Sequence, residues 1–295
     1  MILFRFKTFR FLIFFFGLFI PVFLFPISDI ESAEIKGDFF GLLQARLIRD
    51  GFDQTMIKSV YKNPKVYLDK KIIKVYFTYR EAKLNYNQFT TRRSITKART
   101  YIREHMDAFQ TAEKNFGVDR EIITAIILVE TQLGKVMGKK SVLNTFSTLA
   151  ALADPNVRDT MWKEISRTRK LDQKKFEKWS ARKSKWAYRE LKAYLKYSAK
   201  EKIPPSEVNG SFAGAMGIAQ FLPSSILAYA KDGNNDGRID LFNHSDAIAS
   251  IAGYLKNYGW HPGIDGKKAY KIVYRYNRSS YYVNTVLKIA ELLKG

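Results

Sequence analysis

The chain contains no cysteine, which excludes disulfides, cysteine–zinc sites and thiol nucleophiles. Histidine is scarce as well. His105, His244 and His261 stand far apart, a spacing that argues against a His-rich metal hydrolase. Alternating apolar and polar stretches are few, so strands are not expected to carry the fold. Acidic residues are in short supply too: 28 Asp and Glu face 50 Lys and Arg among 295 residues, a net charge of +22. That balance calls for a polyanionic partner or an anionic surface. Repeats and low-complexity tracts are missing, and hydrophobic residues at 46% suffice for a sizeable core.

One long hydrophobic run is present, at the N-terminus. Arg5, Lys7 and Arg10 precede the apolar residues 11–25, and polar residues follow from Ser28. This order describes a secretory signal. The cleavage site is poorly defined around Glu31 and Glu34, so an uncleaved membrane anchor, interrupted by Pro21 and Pro26, is the other reading. Either way the chain is expected to be exported, which removes nucleic acid from its partners.

Beyond this segment the spacing of apolar residues is helical. Phe40, Leu43 and Leu47, then Phe52 and Ile57 after the Asp50-Gly51 break, predict two short helices. Residues 86–91 read as a loop, and Ile95 to Phe116 as one longer helix ended by Gly117. Asp119 is placed to cap the next helix, Arg120 to Leu133, which Gly134 ends. Residues 163–202 are the most basic part, with fifteen Lys or Arg against five acids, interleaved with Trp162, Trp179, Trp186, Tyr188 and Tyr194. They form either a solvated face on helices whose aromatics enter the core or an electrostatic dock for an anionic polymer. The fold is mainly α.

Two segments bear chemistry. On the helical wheel Glu130 lies about 20° from Ile123 and about 40° from Ile126, in the middle of the apolar stripe. A carboxyl group there is either salt-bridged to one of the many cations or kept protonated by burial, ready to donate a proton. Residues 210–225, Gly-Ser-Phe-Ala-Gly-Ala-Met-Gly-Ile-Ala-Gln-Phe-Leu-Pro-Ser-Ser, are dense in small side chains that let backbone approach backbone or ligand. Ser211 and Gln220 add uncharged hydrogen-bonding groups suited to hydroxyl and amide substituents.

A third segment, residues 232–240, places Asp232, Asn234 and Asp236 at positions 1, 3 and 5 and Gly237 at position 6 of a calcium-loop pattern, with the Arg238 carbonyl at 7. Asn243 stands at position 12 in place of the usual Glu. A polar Asx-rich turn without metal is the alternative.

Four blocks in order, Ala125–Gly138, Gly210–Ser225, Asp232–Leu255 and Tyr274–Val283, resemble the soluble-lytic-transglycosylase superfamily, most of all the membrane-bound lytic murein transglycosylase B group. The resemblance runs from about Phe39 to the C-terminus. It implies a goose-type lysozyme-like helical catalytic core with extra N-terminal helices and an EF-hand-like loop. It also implies a cleft for peptidoglycan glycan strands, with Glu130 as the single catalytic carboxylate. Glu130 would protonate the bond between N-acetylmuramic acid and N-acetylglucosamine, then act as base on the muramyl C6 hydroxyl to close an anhydro sugar. That is an exception to the two-carboxylate scheme. Ser211, Met216, Gln220, Tyr276 and Asn277 match cleft positions of the family. Its calcium loop is longer, with the last carboxylate at Asp246, so a structural Ca²⁺ would be held by Asp232, Asn234, Asp236, Arg238 and Asp246. No organic cofactor is implied. With no cysteine, the lipid anchor of some relatives cannot form.

The expected organisation is a signal or anchor at 1–33 and a catalytic region at 34–295. Within that region lie N-terminal helices at 34–118, the catalytic helix region at 119–160, a basic helical insertion at 161–208, and the cleft motif, metal loop and C-terminal helices at 209–295. The expected function is a lytic transglycosylase of the periplasm or cell envelope. A lysozyme-type hydrolase of the same bond and a non-enzymatic wall-binding scaffold are the rivals.

Overall fold

A computed structural model of the chain describes residues 39–78, 85–167 and 171–295. The signal-or-anchor segment 1–33, with its apolar run, lies outside the described residues.

Helical spacing dominates as expected. The described residues form α1 (Gly41–Arg49), α2 (Gln54–Lys62), α3 (Lys70–Thr78), a 3-10 turn (Tyr86–Phe89), α4 (Arg92–Glu104), α5 (Met106–Phe116) and α6 (Arg120–Thr131). There follow α7 (Val142–Ala151), α8 (Pro155–Ser166), α9 (Gln173–Lys200), α10 (Pro223–Tyr229), α11 (His244–Asn257), α12 (Gly266–Tyr276) and α13 (Ser280–Lys294). Among the described residues strands are limited to β1 (Lys140–Ser141) and β2 (Asn209–Gly210), paired antiparallel with Lys140 opposite Gly210.

One hydrophobic core runs from Phe40 to Leu293. Its centre is α6, against which α4, α5, α11 and α13 pack, while α7 and α10 lie on α9. The sequence predicts a single apolar stripe on α6, but every residue from Ile122 to Thr131 is buried. A helix covered all round needs no polar face. Of its two carboxyl groups, Glu121 stays half-buried at the first turn and Glu130 is enclosed.

Four boundaries differ from the sequence reading, the first being that α4 starts at Arg92 rather than Ile95, after a 3-10 turn where a loop is predicted at 86–91. The helix expected from Ile95 to Phe116 breaks at His105 (φ −117°, ψ 27°), whose ring stacks on that of His244 at 4.3 Å between centroids. Gly117, left-handed at φ 64°, ends α5 as predicted. Asp119 starts α6 without a side-chain cap, because its carboxylate accepts the Trp260 indole N–H at 3.2 Å. Helix α6 then stops at Thr131 rather than Leu133. Gln132 (φ 50°) and Leu133 (φ 64°) precede Gly134 (φ 82°), three left-handed residues in succession. Each of the two non-glycines costs about 1–2 kcal/mol of backbone strain. The Leu133 N–H repays part of it by bonding the Ile127 carbonyl at 3.3 Å.

The basic segment resolves into α9, a 28-residue helix capped by Asp172, whose carboxylate accepts the Lys175 N–H at 3.0 Å. Its aromatics take the core reading: Tyr188 and Tyr194 are buried, and Trp179 and Trp186 pack partly buried against the core. No described helix is long and apolar enough to cross a membrane.

Candidate active site

The catalytic candidate sits at the last turn of α6. Glu130 is buried, with 5% of its surface exposed, and forms no salt bridge with any described residue. The ion-pair reading of this carboxyl group is thereby set aside. Burial pushes its pKa up to about 7, and the Tyr282 phenol pulls the other way. Desolvation penalises the charged form. A carboxyl group poised near neutrality can give a proton and take one back.

Two phenols frame it. Tyr276 ends α12 and donates its hydroxyl to the Ala219 carbonyl at 2.5 Å. Tyr282 lies on the first turn of α13, whose N-cap Ser279 accepts the Tyr282 N–H at 3.4 Å. Both phenols are raised well above their ordinary pKa, by burial first and by the charge of Glu130 second. The Tyr282 hydroxyl is fully enclosed and makes no hydrogen bond of standard geometry, although it lies close enough to act on the Glu130 carboxyl.

The small-residue block forms the adjoining wall. Thr131 donates its hydroxyl to the Ile218 carbonyl at 3.2 Å, tying the end of α6 to this block. Met216 and Phe221 pair their backbones, and the Phe221 ring lies 5.8 Å from that of Tyr276. Gly217 shows why the block is glycine-rich. Its φ is +68°, and a Cβ there would lie 2.4 Å from the Leu241 carbonyl oxygen. Gln220, left-handed at φ 48°, donates from Nε2 to the Gly217 carbonyl at 2.8 Å and the Met137 carbonyl at 3.3 Å.

Of the five predicted cleft residues, Tyr276 is the one whose side chain feels the charge of Glu130. Met216 and Gln220 join through the backbone between Gly217 and Phe221. Asn277 is buried just after α12. Ser211 turns inward instead, its hydroxyl accepting the Ala215 N–H at 3.2 Å within its own turn.

Residues 37–268, well over half of the chain, match the family model described as Transglycosylase SLT domain. The chain belongs to that family. Among curated proteins it is 34% identical over 176 residues to the membrane-bound lytic murein transglycosylase B of Escherichia coli, a match spanning 60% of this chain. The match covers 41% of that relative, so the chain spans less than half the length of the curated protein it matches. Solved structures of the same architecture include the Escherichia coli lytic transglycosylase Slt35 in complex with calcium, with a TM-score of 0.69 and 23% identity over 87% of this chain and 92% of that one. Pseudomonas aeruginosa SltB3 in complex with NAG-anhNAM-pentapeptide aligns with a TM-score of 0.68 and 20% identity over 86% of this chain and 78% of that one. At these identities the structures establish a shared fold.

In this SLT-domain chain the loop predicted to hold calcium is closed by its own side chains. Asp232 accepts the Asp236 and Gly237 N–H groups at 3.2 and 2.8 Å, and Asp236 accepts that of Arg238 at 2.9 Å. Asn234 donates to Asp236 at 2.9 Å. Asn243, at the unusual twelfth position, caps α11 by accepting the Ser245 N–H at 2.8 Å. Asp246, in the first turn of α11, is buried and reaches back to accept the Gly233 and Asp240 N–H groups at 2.8 and 2.7 Å. Its pKa is raised by burial first, with the Asp232 charge contributing. The described residues contain no group of three or more His, Cys, Asp or Glu already gathered for a metal. The donors are all oxygens, the chemistry of a hard cation, and a carboxylate oxygen bonded to one N–H keeps a lone pair for it.

Two features escaped the sequence reading. Tyr282 falls inside the last resembling block but was not singled out. Its signal was a phenol on the buried stripe Tyr282, Val283, Val286, Ile289, Ala290 and Leu293, behind the Ser279 cap. The second is the contact of Tyr101 with His244, 2.7 Å from hydroxyl to Nδ1, which joins α4 to the start of α11 and which no local pattern announces.

Proposed function

We propose that this SLT-domain chain is a lytic transglycosylase. It would cleave the bond between N-acetylmuramic acid and N-acetylglucosamine in peptidoglycan and leave an anhydro-muramyl end. One observation carries the reading: a carboxyl group, Glu130, enclosed without a cation and held near pKa 7 by burial.

The protonated Glu130 gives its proton to the glycosidic oxygen, and the bond from that oxygen to muramyl C1 breaks. The resulting carboxylate then takes the proton of the muramyl C6 hydroxyl as its oxygen bonds to C1. The proton count on Glu130 returns to its start, so the cycle needs no water and no second acid. The other buried acids among the described residues support this economy, because each is committed elsewhere. Asp69 pairs with Lys140, Glu190 accepts Ser224, Glu201 accepts the Ile239 N–H, and Asp246 closes its loop. Two-carboxylate glycosidases need a partner acid beside the first. Tyr282 would stabilise the transient carboxylate, while Tyr276, held by Ala219, would fix the wall on which Met216, Gln220 and Asn277 meet the sugar. Ser211 would shape the turn that carries them.

A structural calcium ion would be held by Asp232, Asn234, Asp236, the Arg238 carbonyl and Asp246, a set whose donors are all oxygens. Bound there, it would supply structural bracing between the loop and α11. The apolar N-terminal run supports placement in the cell envelope, as a secretory signal or an anchor.

Borohydride reduction of digested peptidoglycan tests the reaction class. A transglycosylase adds no new reducible muramyl ends while the wall dissolves. New reducible ends in step with dissolution would make the chain a hydrolase, and intact walls would point to a binding protein.

A further inference from the structure

Helix α9 carries a feature that the enzyme reading leaves unused. Starting from Lys174 at zero on the helical wheel, Lys178, Arg182, Lys185 and Arg189 fall within an arc of about 80°. The arc continues through Lys192, Lys196 and Lys200, and no other residue of the helix lies in it. Seven of these eight cations are exposed and Lys192 is half-buried. Acidic partners are few: Lys192 meets Asp50 at 2.8 Å and Lys200 meets Glu201 at 3.5 Å, while the other six form no salt bridge with a described residue. Like charges three and four apart on a helix repel one another. The stripe therefore works against its own helix, and an external anion is what would relieve it.

Its shape says which kind. The stripe is straight, about 39 Å long at 1.5 Å per residue, and lies on the convex outside of a rod. A groove would suit a single polymer strand; a line of charge on a convex face suits a flat surface. The path of the chain gives the second indication. Helix α1 directly follows the segment that bears the apolar run 11–25, and α1 sits beside the stripe. The Arg46 guanidinium lies 3.6 Å from the centroid of the Tyr188 ring of α9, and Asp50 accepts the Lys192 ammonium. Leu42, 63% exposed, is on the same short helix. In sequence the apolar run thus precedes the short helix whose Arg46 and Asp50 touch α9 beside the stripe. Residues 26–40 can span up to about 50 Å when extended, so the reach is ample.

We propose that the α9 stripe docks the catalytic body on an anionic phospholipid surface, with the N-terminal apolar segment as the tether. Anionic headgroups attract basic segments within a Debye length of the surface. Docking would fix one face of the enzyme toward the membrane.

The absence of cysteine makes the test direct. A fluorophore on Lys185→Cys, or on Lys267→Cys in α12 as reference, is placed in the full-length chain on vesicles carrying a headgroup nitroxide quencher. Vesicles are phosphatidylcholine alone or with a third phosphatidylglycerol. The expected result is at least twofold stronger quenching at 185 than at 267 in the anionic vesicles. That excess should vanish in phosphatidylcholine, in high salt, and when Lys178→Glu, Arg182→Glu and Arg189→Glu are added. Equal quenching at both sites in anionic vesicles overturns the proposal. An excess that ignores lipid charge and salt overturns it too, because the tether alone would then set the pose. Salt-sensitive shielding of position 185 by isolated sacculi but not by vesicles would assign the stripe to the wall polymer instead.

Discussion

The Tyr282 phenol and the Glu130 carboxyl face each other between α13 and α6, both buried, and each shifts the other's protonation. Burial drives the phenol well above its ordinary pKa and the carboxylate adds to that shift, while the phenol draws the carboxyl down from the level that burial alone would set. A single buried phenol beside the carboxyl thus tunes the proposed acid.

Replacing Tyr282 by Phe removes that hydroxyl and leaves burial unopposed. The Glu130 pKa rises above about 7, so the alkaline limb of kcat/KM moves to higher pH. Loss of one hydrogen bond to the transient carboxylate lowers kcat about ten- to a hundredfold. Stability should hardly fall, since the Tyr282 hydroxyl makes no standard hydrogen bond to lose. A pH–rate profile beside a thermal melt checks both halves, and an unmoved alkaline limb would show that the phenol does not tune Glu130.

The Glu130→Gln variant should be more stable than the wild type in base. The folded pKa is about 7 against 4.5 for the free group, so the folded protein holds its proton longer than the unfolded chain. Wild-type stability from this group is full below pH 4.5 and declines as pH rises through 7. Glutamine stays neutral throughout. The stability difference between variant and wild type should grow from near zero at pH 4 to about 3 kcal/mol at pH 8. Denaturant titrations at the two pH values measure it. A constant difference would mean that Glu130 is not buried as an acid.

Gly217→Ala should cost more than about 2 kcal/mol and most of the activity. The added methyl meets the Leu241 carbonyl at 2.4 Å in a left-handed conformation, and Gln220 and Phe221 hang on the same turn. Thermal unfolding and turnover of purified walls would both register the loss.

Calcium should raise the melting temperature by about 5 °C at a hundredfold excess over Kd, and magnesium should not. Asp236→Asn, an exposed change in the loop, should weaken the effect by more than it changes the apo melt, where it costs the acceptor of the Asn234 amide. Equal shifts with both metals would argue against a built calcium site.

Local patterns made the mainly helical class legible in advance, along with α1, α2, α6 and the helical nature of the basic segment. Glu130 on an apolar helix and the glycine-dense block could be read because burial and close approach each restrict residue types at single positions. The break at His105 could not, since its cause is a ring of α11 stacked on it from 139 residues away in the chain. Asp119 misled for the same reason: its carboxylate serves Trp260, a long-range partner, rather than its own helix. Tyr282 stayed hidden because a tyrosine on a buried stripe reads as packing until the element opposite it is known. In the predicted calcium loop the candidate oxygens at 232, 234 and 236 could be listed from their order, but the turning back of Asp246 depends on how α11 starts.

The most direct test is mass spectrometry of muropeptides released from purified sacculi, with the wild type and Glu130→Gln run side by side. Anhydro-muramyl products from the wild type, and none from Glu130→Gln, are the predicted result. Equal release of anhydro products by both proteins would contradict the assignment of Glu130 as the acid and base of the reaction.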